Sequence, residues 1–219
     1  MSMLIPITIG YDGEKKIVDD LVDLVHLLVY ISKEQMDVIE KSENFFYKRL
    51  KNDNYDLCPV YFSLRDRTNM CRMFQVIEHR YKTMEERYDS FTKEKCRNIN
   101  EYNDSHEEKL KHKVLLLYGY PDSEYLGSKK IEDRLTRILQ LGRAAGIHII
   151  IITDEIANMC DGVLLNFVNR ICTRNDANKE DFFNLSDHEL KDDELIYDCA
   201  NNDDVVVLKI DKTVRELYK

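Results

Sequence analysis

The sequence predicts an α/β fold with a mainly parallel sheet, helices on both faces of that sheet, and an amino-terminal β-hairpin. The clearest observation is the run 139–153, where helically spaced apolar residues end at Gly146 and a strand with four consecutive isoleucines follows. A strand without a polar face must be covered on both sides, which is typical of parallel sheets between helices. The apolar runs 57–64 and 114–118 predict two further buried strands.

The amino-terminal third predicts a hairpin, two strands and a helix. Residues 4–19 predict a β-hairpin because an Asp-Gly pair separates two β-prone runs. Residues 26–31 predict a strand, and residues 32–50 predict a helix with Ser32 and Gln35 as a capping box. The strand over 57–64 follows in the chain.

The rest of the chain alternates between helix and strand patterns. A long helix is predicted over 68–93, where large apolar residues recur at helical spacing. The other predicted elements are a short helix from residue 97, a strand over 114–118, a helix over 130–145, the isoleucine strand, a helix over 158–166, a strand over 170–173, a helix over 179–184 and a strand over 205–210.

The amino-acid composition limits the classes of protein to which this chain could belong. The 219 residues include only three prolines and seven glycines, without a linker-like stretch, so we expect one domain over residues 1–219. The absence of a signal-peptide pattern and of any apolar run of about 20 residues predicts a cytoplasmic protein that does not span a membrane. The six cysteines lie far apart and predict free thiols.

Charge gives a weak prediction of nucleic-acid binding. The net charge of −9 disfavours a protein that wraps nucleic acid by bulk attraction. Basic residues gather between Arg65 and Arg97, but acidic residues interrupt them. Mixed signs on a long helix are typical of a solvated, salt-bridged face.

We interpret the histidines and the pair Arg97 and Asn98 as residues that stabilise the fold. The acidic surroundings of His188 lack the spacing of a metal site, so we expect neither a metal nor another cofactor. His26 and His148 are predicted to be hydrogen-bonded core residues. For Arg97 and Asn98 we favour helix capping over contact with a ligand.

Four groups of short segments occur in an order that is typical of one protein family. They are 5–10 with 19–21 and 26–29, then 83–88 with 97–99 and 102–103, then 141–148, and then 166–167 with 170–171. In this order they resemble the FtsK/SpoIIIE group of RecA-like DNA-translocating ATPases, over most of residues 5–175. The resemblance implies a RecA-like sheet with a nucleotide site at its carboxyl edge.

The segment that would form the P-loop departs from the family. A P-loop needs glycines whose backbone N–H groups surround the phosphates, a lysine, and a hydroxyl for magnesium. Residues 30–38 contain no glycine and place Glu34 and Asp37 where phosphate charge would lie. Lys33 alone cannot replace the converging N–H donors.

The two strand ends beside that segment also depart from the family. After the strand 114–117, Tyr118-Gly119-Tyr120 replaces the acidic residues that hold magnesium, and Asp122 lies beyond them. After the isoleucine strand, Thr153 is kept but Asp154 stands in place of a glutamine. A desolvated carboxylate at that point would repel phosphate.

The sequence therefore predicts a catalytically inactive pseudo-ATPase domain that acts as a protein-interaction or regulatory module of a DNA-translocation, conjugation or secretion system. An intact FtsK/SpoIIIE-type motor is the partner we consider first. The interval 64–83 is short relative to the family, so the oligomeric state stays open. The residues expected to contact a partner or ligand are Arg65, Arg67, Arg97, Asn98, Arg143, Thr153 and Asp154.

Two alternative functions also fit the sequence. One is a double-stranded DNA-binding protein without ATPase activity, which would use the basic residues between Arg65 and Arg97. The other is an enzyme with a metal site formed by Asp122, Asp154 and Glu155 at the carboxyl edge of the sheet.

Overall fold

One sheet contains all nine strands that the computed structural model describes. The described residues are 6–12, 15–31, 55–61, 67–120, 129–157, 159–173, 190–191, 194–198 and 206–209. In chain order the described elements are β1 (Pro6–Asp12), β2 (Lys15–Asp20), α1 (Leu21–Leu24), β3 (Leu27–Tyr30), β4 (Tyr55–Tyr61), α2 (Arg67–Glu94), α3 (Ile99–Ser105), β5 (His112–Tyr118), α4 (Lys129–Ala145), β6 (Ile147–Thr153), α5 (Asp161–Leu164), β7 (Arg170–Cys172), β8 (Glu194–Asp198) and β9 (Val206–Lys209).

The sheet has a parallel centre and one antiparallel flank. The strand order is β2-β1-β9-β8-β7-β3-β6-β5-β4. Strands β7, β3, β6, β5 and β4 are parallel to one another, and the remaining pairs are antiparallel. The amino-terminal hairpin forms as predicted, with Asp12 opposite Lys15 and a register shift between Thr8 and Gly10. Together with the helices that cover the sheet, this arrangement confirms the predicted fold class.

Strand β6 lies in the middle of the parallel part and is buried along its whole length. On one face, Ile149 and Ile151 belong to a core cluster with side chains of α2 and α4, which pack against each other. On the other face, Ile150 and Ile152 belong to a second cluster that includes apolar side chains of α1. Each buried isoleucine contributes about 1.5–3 kcal/mol, so this strand holds both layers to the sheet.

Two elements differ from the sequence-based prediction. Helix α5 has only four residues instead of the expected 158–166, and Cys160 at its start makes no side-chain capping hydrogen bond. Strand β8 was not predicted, because it lies in a strongly acidic stretch. Its first residue, Glu194, stands opposite Lys209 in β9, whose Nζ donates a 2.8 Å hydrogen bond to Glu194 Oε1. The hydrogen bond from Lys209 holds the pKa of Glu194 down to about 2.

Several predictions fall outside the described residues: the helices over 32–50 and 179–184, the end of the strand over 57–64, and Cys199. The other five cysteines are free thiols. In the parts of the chain that the structure describes, no helix is both long enough and apolar enough to cross a membrane.

Candidate functional site

The carboxyl edge of the parallel strands is where α/β folds bind their ligands. Backbone hydrogen bonds continue to this edge: Ile31 N donates to Thr153 O at 2.9 Å, and Gly119 N donates to Ile152 O at 2.7 Å. The last residues of β3, β5, β6 and β7 are at most 1% exposed; they are Tyr30, Tyr118, Thr153 and Cys172. Two of these four positions therefore carry buried aromatic rings.

The segment Tyr118-Gly119-Tyr120 turns sharply at the end of β5. Gly119 has a φ of 81°, which a residue with a side chain rarely adopts. The turn places Tyr120 in the core cluster on the side of α2 and α4, and the side chain is 7% exposed. Burial raises the pKa of the Tyr120 phenol. The phenol is therefore neutral near pH 7, and it is a poor substitute for a carboxylate that holds magnesium.

The polar atoms at the end of β6 form hydrogen bonds with residues two positions away in the chain. Thr153 Oγ1 donates to Glu155 O at 2.9 Å and accepts from Glu155 N at 3.1 Å. Glu155 Oε1 accepts from Ala157 N at 2.9 Å, and Asp154 is half-buried. Asp122, the third carboxylate of the predicted metal site, lies outside the described residues. Among those described, no three His, Cys, Asp or Glu side chains lie close enough to hold a metal ion.

The predicted contact residues are divided between the two edges of the sheet. Thr153 and Asp154 lie at the carboxyl edge. Arg143 is exposed in the last turn of α4, just before the amino end of β6. Because β6 has seven residues, the two ends are about 20 Å apart. Arg65 and the side chain of Arg67 lie outside the described residues.

Arg97 and Asn98 lie at the start of α3. Asn98 is the N-cap residue, and its Oδ1 accepts from Asn100 N and Glu101 N at 3.0 Å each, as the helix-capping interpretation predicted. The guanidinium of Arg97 is exposed and forms an ion pair with Glu101 at 2.8 Å. Both residues thus have a local structural role, and Arg97 also remains accessible to a partner.

Two of the basic residues along α2 have partners inside the protein. Arg80 is buried and pairs with Asp56 at 3.5 Å. The guanidinium of Arg87 donates to Ala145 O and, at 2.7 Å, to Lys111 O. These two cations tie α2 to neighbouring segments, and both are buried, whereas the mixed charges predicted a solvated, salt-bridged face.

A cluster of buried histidines at the amino edge was only partly predicted. His26 and His148 are buried and hydrogen-bonded as expected: Ile149 N donates to His26 Nδ1 at 3.0 Å, and His148 Nδ1 donates to Val25 O at 2.9 Å. His112 completes the cluster, with Nδ1 at 2.9 Å from His148 Nε2. All three residues lie at or just before the start of a parallel strand, and this shared position was the available sequence signal.

The three rings are neutral near pH 7. Burial lowers the pKa of His26 to about 3 and the pKa of His148 to about 4. Burial, reinforced by the charge of Arg87, also lowers the pKa of His112. Because Val25 O can only accept, a neutral His148 has a bare Nε2, which accepts from His112 Nδ1. His112, His148 and Val25 O therefore form a chain of directed hydrogen bonds, and His26 accepts separately from Ile149 N.

Comparison with known proteins finds similarity to DNA translocases over part of the chain. No family model matches. The chain is 35% identical over 98 residues to the DNA translocase FtsK of Listeria monocytogenes and 33% identical over 98 residues to that of Staphylococcus epidermidis. Each match covers 40% of this chain but only 13% and 12% of the respective translocase.

Solved structures with the same fold belong to conjugation and secretion systems. The pCW3 conjugation coupling protein TcpA, with ATPγS, has a TM-score of 0.73 at 16% identity and covers 100% of this chain and 72% of its own. ATPases 2 and 3 of Geobacillus thermodenitrificans EssC give 0.69 at 14% identity, covering 96% and 46%. The type VII secretion ATPase EccC of Thermomonospora curvata gives 0.67 at 14%, covering 97% and 31%. The chain therefore has the RecA-like fold of these ATPases.

Proposed function

We propose that this chain is a catalytically inactive FtsK/SpoIIIE-like pseudo-ATPase domain. It acts as a protein-interaction or regulatory module of a DNA-translocation, conjugation or secretion system. The observation that carries the proposal is the turn Tyr118-Gly119-Tyr120 at the end of β5. It is buried and aromatic where the resemblance implies acidic magnesium ligands.

The chemistry of ATP hydrolysis explains why this turn matters. Catalysis of phosphoryl transfer consists mostly of positioning and charge stabilisation, which depend on magnesium between the phosphates. Magnesium needs oxygen ligands in an octahedral arrangement, commonly including a carboxylate. Tyr118 and Tyr120 offer buried phenols instead, and the Thr153 hydroxyl is already bonded to the backbone of Glu155. These side chains at the ends of β5 and β6 are thus poor ligands for a magnesium ion bound to phosphate.

The names of the similar proteins support the proposed setting. They are a DNA translocase, a conjugation coupling protein and a type VII secretion ATPase, all motors of transport systems. A domain that keeps the fold of a motor without its magnesium ligands retains a surface of similar shape. We infer that this surface binds an intact FtsK/SpoIIIE-type motor and alters its rate.

The inactivity is tested by steady-state ATP turnover of the full chain with magnesium. We expect phosphate release no faster than in a protein-free blank, both for the chain and for Lys33→Ala. Turnover above the blank that disappears in Lys33→Ala would show a working nucleotide site and would refute the proposal.

The regulatory role is tested on an intact FtsK-type motor from the same cell. We expect a saturating amount of this chain to change the motor's DNA-stimulated ATPase rate at least about two-fold, and Arg97→Glu with Arg143→Glu to weaken that effect. Lys82→Glu, which reverses the charge of an exposed residue on α2, serves as the matched control. No change in rate, together with no co-sedimentation with the motor, would contradict the proposed role.

A further inference from the structure

A cleft of about 620 Å³ opens at the amino edge of β4 and β5, against α2 and α3. It lies at the opposite end of the parallel strands from Tyr118 and Thr153. Such a volume is in the range of small-molecule sites. The charged side chains that line it are Asp56, Glu86, Arg87, Lys109, Lys111 and Lys113.

One wall of the cleft carries three lysines in alternate positions. Lys109, Lys111 and Lys113 belong to the segment that leads into β5, and all three line the cleft. Leu110, between the first two lysines, also lines the cleft. Within the described part of the protein, Lys111 has no ion-pair partner, so its ammonium group is available to a ligand.

The inner end of the cleft holds a buried cation. Arg87 is 7% exposed, and its guanidinium is oriented by the carbonyl oxygens of Ala145 and Lys111. No carboxylate pairs with it among the described residues. Burial lowers the pKa of Arg87 to about 10. A desolvated guanidinium without a carboxylate is costly, and an oxyanion in the cleft would offset that cost.

The acidic residues do not neutralise the site. Asp56 is shared between Arg80 at 3.5 Å and Lys113 at 3.0 Å, and Glu86 is exposed. Four cations and two carboxylates line the cleft, which leaves two positive charges in a chain whose net charge is −9. The excess matches the charge of a phosphate dianion.

We propose that this cleft binds a phosphate dianion, either free phosphate or pyrophosphate or the phosphate of a small phosphorylated molecule. Lys111 contacts the phosphate oxygens, and Arg87 supplies a fixed positive charge behind it. The ammonium group of Lys109 donates to Asn103 O and has further N–H groups that reach the phosphate. The site is separate from the carboxyl edge, so it does not depend on whether the domain is a pseudo-ATPase.

Isothermal titration of the full chain at low salt tests the site with pyrophosphate, inorganic phosphate and glycerol phosphate. We expect pyrophosphate to bind with a Kd of about 1 mM or tighter. Lys111→Gln and Lys109→Gln should each weaken binding about 10-fold, as expected for a lost hydrogen bond to a charged group. Both side chains are exposed, so these variants should fold. Lys82→Gln has the same charge change outside the cleft and should bind like the parent.

The same titrations identify the source of the phosphate. Glycerol phosphate that binds more tightly than inorganic phosphate indicates a phosphorylated molecule, and the reverse order indicates a free phosphate. Either result supports the site if the two lysine variants weaken it. The proposal is overturned if no probe binds at millimolar concentration. It is also overturned if Lys33→Ala abolishes binding while Lys111→Gln leaves it intact, because the phosphate would then lie at the carboxyl edge.

Discussion

The two edges of the parallel sheet differ in the chemistry that they present. The carboxyl edge ends in buried side chains, two of them tyrosines, and its hydroxyl at Thr153 is bonded to the local backbone. The amino edge carries a buried arginine, three buried histidines and a cleft with a row of lysines. In α/β folds the ligand chemistry belongs to the carboxyl edge. Among the described residues, most of the buried polar side chains lie at the other edge, so the two edges are packed differently within one fold.

The largest expected effect comes from Gly146, where α4 turns into β6 at the amino edge. Its φ is 67°, and an added Cβ would lie 2.4 Å from Ile99 Cδ1. Gly146→Val should lower the free energy of unfolding by about 3 kcal/mol or more, measured by urea denaturation. In Gly162→Ala the new Cβ would meet Thr136 Oγ1 at 3.0 Å, which can rotate away, so that control should lose less than about 1 kcal/mol. Equal losses would contradict the special role of the amino edge.

Arg87 should have the next largest effect. Arg87→Met leaves two carbonyl oxygens, of Ala145 and Lys111, without their charged donor. We expect a loss of about 2–3 kcal/mol in the free energy of unfolding. Arg72→Met, on the exposed part of the same helix, should change it by about 0.5 kcal/mol at most. If both variants behaved alike, Arg87 would not hold α2 to the ends of α4 and β5.

The buried histidines predict a loss of stability in mild acid. An unfolded histidine binds a proton near pH 6.5, while the pKa of folded His148 is about 4, so between these values the unfolded chain binds more protons. Stability from His148 should therefore be intact above pH 6.5 and fall by about 2 kcal/mol on going to pH 5. His148→Gln should flatten the pH dependence, and exposed His79→Gln should not. Parallel curves for both variants would disprove this mechanism.

The smallest effect is expected at the carboxyl edge. The hydroxyl of Tyr120 is buried and has no hydrogen-bond partner among the described residues, so Tyr120→Phe should change the free energy of unfolding by about 0.5 kcal/mol or less. The matched control is Tyr88→Phe, which removes a 2.7 Å hydrogen bond to Leu141 O and should cost about 1 kcal/mol. A larger cost at Tyr120 would indicate a bonded, polar hydroxyl and would break the contrast between the edges.

The predictable part of the fold was the part with local sequence signals. The hairpin has an Asp-Gly pair between its two strands in the sequence, α2 and α4 have apolar faces at helical spacing, and Gly146 separates α4 from β6. Strand β8 could not be predicted in this way. Its acidic start is stabilised by Lys209, which lies 15 residues further along the chain.

The hydrogen-bond partners of a site residue were predictable only where one segment contains the interaction. The capping role of Asn98 was recognised because its partners lie two and three residues away. The histidine cluster joins residues that are 36 and 123 positions apart, and the phosphate cleft joins β4, α2 and the start of β5. Such clusters depend on strand order, which the local pattern does not contain.

The most direct test of the central claim is isothermal titration of the full chain with ATP and magnesium. The protein should carry Lys109→Gln and Lys111→Gln, so that triphosphate binding at the amino-edge cleft does not contribute. A pseudo-ATPase domain should give no heat beyond dilution up to about 1 mM ATP. Micromolar binding that Lys33→Ala abolishes would contradict it, because a working nucleotide site would then exist at the carboxyl edge.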